Sequence, residues 1–172
     1  MLKSVIYFID LLNEGIGKVT GGIVLLLVLV IVFEVGQRYL FHQGSVALQE
    51  LQWHLFSLIF LLGAAYTLKY DEHVRVDILY QKLNDRQRIM VNLFGHLFFL
   101  IPFCLLVIKS SWPFVYEAFK VQEMSPDSGG LPYRFLLKAA IPVGFALLIL
   151  QAISHCLSYF LSLSSFLGEK EK

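Results

Sequence analysis

Three histidines have the side-chain type that best suits a cofactor: His54, His96 and His155. Two imidazoles from neighbouring apolar helices can ligate a b-type haem. His96 and His155 fall in the same half of their apolar stretches, so a shared haem is geometrically possible. Isolated histidines in apolar helices more often form hydrogen bonds between helices, and no ligand-spacing signature is present. We therefore predict structural histidines and no cofactor.

A second group of possible metal ligands follows the second apolar stretch. It comprises Asp71, Glu72, His73 and Asp77. His73 and Asp77 are separated by four positions and would share a helix face. Basic residues alternate with these acids, however, so mutual ion pairing accounts for the group without a metal. The sequence contains no phosphate-binding glycine loop, no Ser–His–Asp order and no carboxylate pair in a plausible cleft. We predict that the chain is not an enzyme and holds no metal.

The elements that must position these residues are unusually apolar. Of the 172 residues, 57% are hydrophobic and 16% are charged, whereas soluble domains have about 45–50% and about 25%. Four stretches lack Asp, Glu, Lys and Arg, and a helix needs about 20 apolar residues to cross a bilayer. We predict an all-α integral membrane protein that contacts the lipid bilayer through one four-helix domain, residues 1–172. The predicted transmembrane spans are roughly 16–38, 48–69, 88–110 and 134–158.

The charges exclude other classes and predict an orientation. The 14 basic and 13 acidic residues leave a net charge of +1, which offers no excess to neutralise nucleic-acid phosphates. Nine of the basic residues lie on the side of the spans that holds both termini, so the positive-inside rule places both termini in the cytoplasm. Cys104 and Cys156 are predicted on opposite sides of the bilayer, where they cannot bond to each other.

Two short segments outside the predicted spans have an amphipathic pattern. Residues 1–14 are either a helix in the membrane interface or the first turns of the first helix, and the pattern does not decide between them. Residues 76–83 repeat the pattern and predict a second interfacial helix. Asn84 and Gln87 have the spacing of a capping box that would start the third span.

Three charged residues and two glycines in or near the first two spans have predicted structural roles. Glu34 and Arg38, four positions apart, can neutralise each other, and Glu50 suits the start of the second helix. No uncharged stretch contains a deep carboxylate, which argues against a transport pathway within this chain alone. Gly17 and Gly21 form a GxxxG pattern, a weak indication of a close helix–helix contact.

Two longer segments resemble a known family. They are SVALQELQWHLFSLIFLLGAAYTLKYDEHVRVDILY (Ser45 to Tyr80) and SPDSGGLPYRFLLKAAIPVGFALLILQAI (Ser125 to Ile153). The acidic residue before Trp53, the FLLGAAYTL run and the HVRVD motif are similar to the small, DctQ-type membrane subunit of tripartite ATP-independent periplasmic (TRAP) transporters. The likeness is nearest to the mannitol or chloroaromatic branch and covers most of the chain.

This resemblance implies a small permease subunit in the bacterial inner membrane. Its implied partners are a large multi-span membrane subunit, which carries substrate and sodium, and a periplasmic substrate-binding protein, which delivers an organic acid. The small subunit would be a non-catalytic scaffold. Structural or interface roles are implied for Glu50, Trp53, His73, Arg75 and Asp77, to which we add Arg38 from its spacing to Glu34. The alternative is a haem-bearing membrane anchor of a respiratory enzyme.

Overall fold

The computed structural model describes residues 2–71, 80 and 82–169, with side chains described up to residue 163. All regular structure in these ranges is helical, which confirms the predicted all-α class. The predicted sites His73, Arg75 and Asp77, and most of the predicted interfacial helix at 76–83, lie outside the described residues. The four long helices are α1 (Leu2–Phe41), α2 (Val46–Lys69), α3 (Asp85–Lys120) and α4 (Arg134–Glu169).

All four helices are long and apolar enough to cross a membrane, but three extend well beyond their predicted spans. Residues 2–14 are continuous with α1, which decides between the two interpretations of that segment. The spans were bounded where charged residues begin, because charge is costly in hydrocarbon. In α1 the helix includes Asp10 and Glu14 beyond that point, and both bind side chains of neighbouring helices.

Local sequence explains where helices begin and end. The Ser45 hydroxyl accepts the Leu48 N–H at the start of α2. The predicted capping box is confirmed: Asn84 Oδ1 accepts the Gln87 N–H at 2.9 Å, and Gln87 Oε1 accepts the Asn84 N–H at 3.0 Å. The residues that follow α1, α2 and α3 have positive φ angles, a common helix-terminating conformation. They are His42, Asp71 and Gln122.

Helix α4 is the centre of the bundle, because it packs against each of the other three helices while α1 also packs along α2. A small core forms where α2, α3 and α4 meet. Its buried members are Ala65, Leu68, Cys104, Leu147, Leu148 and Ala152. Large apolar side chains elsewhere face outward, including Phe33, which is 57% exposed, and Phe99, which is 67% exposed. This arrangement suits a lipid-facing surface and would be unstable in water.

The bundle has two distinct ends. The start of α1, the end of α2, the start of α3 and the end of α4 form the proximal end, where Lys69 binds Glu14. The 42–45 and 121–133 connections form the distal end, where Glu50 binds Leu131.

Two glycines allow close helix approach. A Cβ at Gly144 of α4 would lie 2.5 Å from the Leu61 carbonyl oxygen of α2, and one at Gly17 would lie 2.0 Å from the Tyr66 ring. Gly21, the other half of the GxxxG pattern, has open space beside it. The contact that the pattern indicated is therefore present at Gly17 and absent at Gly21, and the closest backbone approach uses Gly144, which lies outside the pattern.

These contacts predict opposite effects of the same substitution at two glycines. Gly144→Ala should lower the thermal unfolding temperature in detergent, because overpacking a close contact costs about 1–3 kcal/mol. Gly21→Ala is the matched control and should leave that temperature unchanged or raise it, since alanine favours a helix by about 1 kcal/mol over glycine. Equal unfolding temperatures for the two variants would contradict the close α2–α4 packing.

Candidate functional site

At the distal end, the carboxylate of Glu50 fastens the 121–133 connection to α2. Glu50 lies in the second turn of α2 and is only 5% exposed. One carboxylate oxygen accepts the Ser125 hydroxyl, and the other accepts the Leu131 N–H at 2.6 Å. The Leu131 carbonyl in turn accepts the Ser125 N–H at 3.1 Å. The carboxylate thus closes a ring of hydrogen bonds across the base of the connection.

The 121–133 connection contains two adjacent glycines, Gly129 and Gly130, at positions where a larger residue would not fit without strain. A Cβ at Gly130 would lie 2.4 Å from the Ser125 side chain and 2.8 Å from Glu50 Oε2, so a larger residue would displace the acid from its donors. Gly129 has a φ of 81°, a conformation that glycine adopts without a steric penalty. The SPDSGGLP segment is therefore shaped around Glu50.

Trp53 lies one turn beyond Glu50 and faces the first turn of α4. The Arg134 guanidinium lies 5.3 Å from the Trp53 ring centre, within the range of a cation–π contact. His54 Nδ1 lies 2.6 Å from the Glu50 carbonyl oxygen, which ties this histidine to its own helix. Two of the predicted site residues therefore contact adjoining parts of the chain: Glu50 binds the 121–133 connection, and Trp53 contacts the first residue of α4.

Arg38 lies near the distal end of α1 and pairs with Glu34, as the spacing predicted. The Glu34 side chain is 6% exposed, whereas that of Arg38 is 52% exposed. The buried carboxylate is thus neutralised by a cation whose own head remains accessible. The structure does not bring Arg38 together with the Glu50 ring; each forms its own local arrangement.

A second polar cluster, missed by sequence reasoning, joins α1 to α4 at the proximal end. The Asn13 amide donates to Gln151 Oε1 at 2.8 Å, and the Gln151 amide donates to Asp10 Oδ1 at 3.0 Å. The Ser154 hydroxyl donates to the same Asp10 oxygen at 2.9 Å. Gln151, Asn13 and Ser154 are almost completely buried. Buried hydrogen-bonded side chains of this kind hold apolar helices together where water is absent.

The same α1 face binds the end of α2. Lys69 Nζ donates to Glu14 Oε2 at 2.7 Å and to the Asp10 carbonyl at 3.1 Å. The Tyr70 hydroxyl donates to the same Glu14 oxygen at 2.7 Å. The hydrogen bond to Glu14 raises the pKa of Tyr70 to about 12, because ionising the phenol would lose that bond and place two anions side by side. Tyr70 therefore remains a donor throughout the physiological pH range.

A third group surrounds a wide turn of α3. Residues His96–Leu100 form a π-helical turn, in which the Ile101 N–H binds the His96 carbonyl. Pro102 follows at once, and its ring and missing N–H disfavour a regular turn at this position. The His96 and His155 rings lie 5.6 Å apart between centres, and Tyr159 contacts both. The two histidines that the sequence singled out are thus neighbours, packed with a tyrosine.

Across residues 2–71, 80 and 82–169, no three His, Cys, Asp or Glu side chains are arranged to hold a metal ion. The acidic group that starts at Asp71 continues outside these residues. In the parts that are described, the clusters above consist of donors and acceptors that bind one another between helices. Their evident chemistry is the fastening of helices to each other and to the distal connection.

Comparison with known proteins gives this architecture a family. Residues 27–161 match the family described as "Tripartite ATP-independent periplasmic transporters, DctQ component". This match includes α2, α3, the Glu50 ring and most of α4. The chain belongs to the DctQ family. It is also 29% identical over 157 residues to a Haemophilus influenzae protein named "Putative TRAP transporter small permease protein", an alignment that covers 90% of this chain and 93% of that protein.

DctQ membership confirms the resemblance drawn from the Ser45–Tyr80 and Ser125–Ile153 segments. The chain is a TRAP transporter small permease subunit, a multi-pass protein of the inner membrane. In general the DctQ family works with a large membrane subunit and a periplasmic binding protein. The assignment favours the transporter over the alternative of a haem-bearing respiratory anchor, although His96 and His155 are adjacent.

Proposed function

We propose that this DctQ-family chain is the non-transporting scaffold of a sodium-coupled importer for an organic acid. The observation that carries the proposal is the state of the four carboxylates inside α1 and α2. Each is bound to a neighbouring side chain or backbone group: Asp10, Glu14, Glu34 and Glu50. A transport pathway needs polar groups that can bind and release an ion or a solute. In this chain, the four carboxylates instead bind groups that hold the helices and the distal connection together.

The exposed surface supports a bracing role. Outward-facing apolar side chains run along most of α1 and α3, including Leu25, Leu29, Phe98 and Leu106. A large subunit whose transport domain moves through the membrane needs a stationary part to move against. An array of four long helices, fastened at both ends by polar clusters, can widen that stationary part. Substrate and sodium would then bind in the large subunit.

We propose that several of the predicted site residues contact the large subunit. Arg38 and Trp53 keep 52% of the side chain and 39% of the residue exposed, so each can contact a partner while holding its place in the bundle. His73, Arg75 and Asp77 form the HVRVD motif, which lies outside the described residues, and the resemblance supports a contact with the large subunit there. Glu50 acts indirectly, by holding the distal connection in shape.

Assembly with the large subunit tests this proposal. A tagged small subunit should co-purify with the large subunit encoded beside it. Asp77→Ala should weaken the complex by about 5- to 150-fold, which corresponds to the loss of an ion pair of about 1–3 kcal/mol. Asp127→Ala is the matched control, because Asp127 is an exposed carboxylate at the distal end. Chelators should have no effect. Undiminished assembly of Asp77→Ala would remove the motif from the interface.

The proposed orientation has both termini in the cytoplasm, so the distal end would face the periplasm. Single cysteines at Lys3 and Asp127, both exposed, can test it once Cys104 and Cys156 are replaced by alanine. A membrane-impermeant maleimide added to intact spheroplasts should label Asp127→Cys and should label Lys3→Cys only after permeabilisation. Labelling of Lys3→Cys in intact spheroplasts would reverse the orientation.

A further inference from the structure

An apolar groove on the side of the bundle remains outside the contacts proposed above. It has a volume of about 510 Å³, and all of the described residues that line it are apolar. Its main lining residues come from three helices: Leu11, Gly15 and Val19 of α1, Leu62 of α2, and Val143 and Leu147 of α4. The edges are open, since Leu11 is 55% and Val19 is 63% exposed, whereas Leu147 is buried. The groove therefore faces outward between α1 and α4.

Two glycines of α1 leave room for another backbone on this side. A Cβ at Gly15 or at Gly22 would have nothing within 4 Å. The two positions are seven residues apart, so they lie on the same face of α1, about 10 Å apart along its axis. Helices associate closely in lipid where small residues let their backbones approach. A partner helix can use both gaps, whereas a lipid acyl chain packs equally well on larger side chains.

An exposed cation lies on the same edge of α1. The Lys18 side chain is 74% exposed, and its ammonium lies 3.7 Å from Glu14 Oε1. The other Glu14 oxygen binds Lys69 at 2.7 Å, and the Asp10 carboxylate is held by donors of α4. The two cations and two acids balance in charge, but Lys18 makes the longer contact and stays accessible. A carboxylate of a partner can therefore reach it.

Lys18 also lies at the depth of outward-facing apolar side chains. It follows Asn13 by five residues, and Asn13 binds Gln151 of α4. Phe145 precedes Gln151 by six residues and contacts Phe103 of α3, which is 56% exposed. At 1.5 Å per residue, Lys18 and Phe103 are at nearly the same level of the bundle. Because charge is costly at hydrocarbon depth, this lysine favours a partner that brings an acid.

We propose that the groove receives one transmembrane helix of the large subunit, and that this helix carries a carboxylate that binds Lys18. Apolar side chains of the helix fill the space between Leu11, Val19 and Val143, and its backbone approaches α1 at Gly15. The proposal rests on the scaffold function above, because it assigns a surface to the contact which that function requires. A phospholipid and a second copy of this chain are the other candidate occupants.

Photo-cross-linking identifies the occupant in membranes that contain the complete complex. p-Benzoylphenylalanine replaces either Gly15, in the groove, or Gly21, an equally open position of α1 outside it. Irradiation should join the Gly15 variant to the large subunit and should give no such adduct with the Gly21 variant. Adducts of the Gly15 variant only with phospholipid, or with a second copy of the small subunit, would overturn the proposal.

Substitutions at the same two glycines measure the effect on assembly. Gly15→Leu should weaken the complex by about 10-fold or more, because its side chain occupies the space of the partner helix. Gly21→Leu is the matched control and should leave the affinity unchanged. Neither variant should lower the unfolding temperature of the isolated chain, since neither site has a neighbour within 4 Å.

Two substitutions at Lys18 test the charge. Lys18→Gln should weaken the complex by about 3-fold, and Lys18→Arg, which keeps the cation, should retain most of the affinity. Equal affinities of the Gly15→Leu and Gly21→Leu variants, in a pair that still transports, would overturn this surface while the scaffold function stands. Failure of the unsubstituted small subunit to co-purify with the large subunit would overturn both.

Discussion

Glu50→Ala is expected to lower the thermal unfolding temperature of the purified chain by about 5 °C or more, given that 1 kcal/mol shifts this temperature by about 2–4 °C in a chain of this size. The substitution removes both acceptors that hold the 121–133 connection, the one for Ser125 and the one for the Leu131 N–H. Those donors would lose their partner in a partly buried site, and leaving donors unpaired costs more than the hydrogen bonds themselves contribute.

Two further variants show whether the effect belongs to this carboxylate. Glu50→Gln keeps one carbonyl oxygen for the Leu131 N–H and an amide group that can donate to Ser125, so its unfolding temperature should be intermediate. Glu117→Ala removes an exposed carboxylate from the same end of the bundle and should have little effect. Limited proteolysis should cut the 121–133 connection fastest in Glu50→Ala. Similar unfolding temperatures for the Glu50 and Glu117 variants would show that the ring of hydrogen bonds contributes little.

Features that depend on neighbours along the chain were predictable. The Asn84–Gln87 capping box and the Glu34–Arg38 pair each join residues three or four positions apart, so helix geometry alone brings them together. The fourth predicted span, roughly 134–158, begins close to where α4 begins at Arg134. The four apolar helices followed from composition, because hydrocarbon thickness sets a length that few soluble helices match.

Features that depend on packing between distant segments were not predictable in the same way. Glu50 was expected near the start of a helix, but its partners lie 75 and 81 residues away and are set by how α4 packs on α2. Asp10 and Gln151 are 141 residues apart. One signal was present: Asp10, Asn13 and Gly17 recur at helical spacing on α1.

The first 14 residues illustrate the physical reason. Their pattern predicted an interfacial helix or the first turns of the first helix, and it did not indicate which face would pack against the bundle. In the structure the polar residues Asn13 and Asp10 face α4, while Phe8 is 67% exposed. Ile9 is buried beside them, so the packed face mixes polar and apolar residues. In lipid, apolar side chains can remain exposed without a penalty, and polar side chains gain from binding each other. The periodicity was informative, but the choice of buried face depended on the solvent.

The second large effect concerns transport itself. The small subunit alone should give no sodium-driven uptake, because the carboxylates within α1 and α2 are bound in the two polar clusters and in the Glu34–Arg38 pair. The large subunit alone should be inactive or severely impaired, because its moving domain would lack part of its stationary support. Only the pair should transport. Glu50→Ala in the pair should reduce uptake if the distal connection helps to position the scaffold, whereas Glu117→Ala should not.

The most direct measurement is uptake of radiolabelled organic acid into proteoliposomes under an inward sodium gradient, with the binding protein supplied outside. Three preparations are compared at equal protein content: small subunit alone, large subunit alone and the co-purified pair. We expect uptake above the protein-free background only for the pair, and its loss when the sodium gradient is collapsed. Sodium-driven uptake by the small subunit alone, or full activity of the large subunit without it, would contradict the scaffold function.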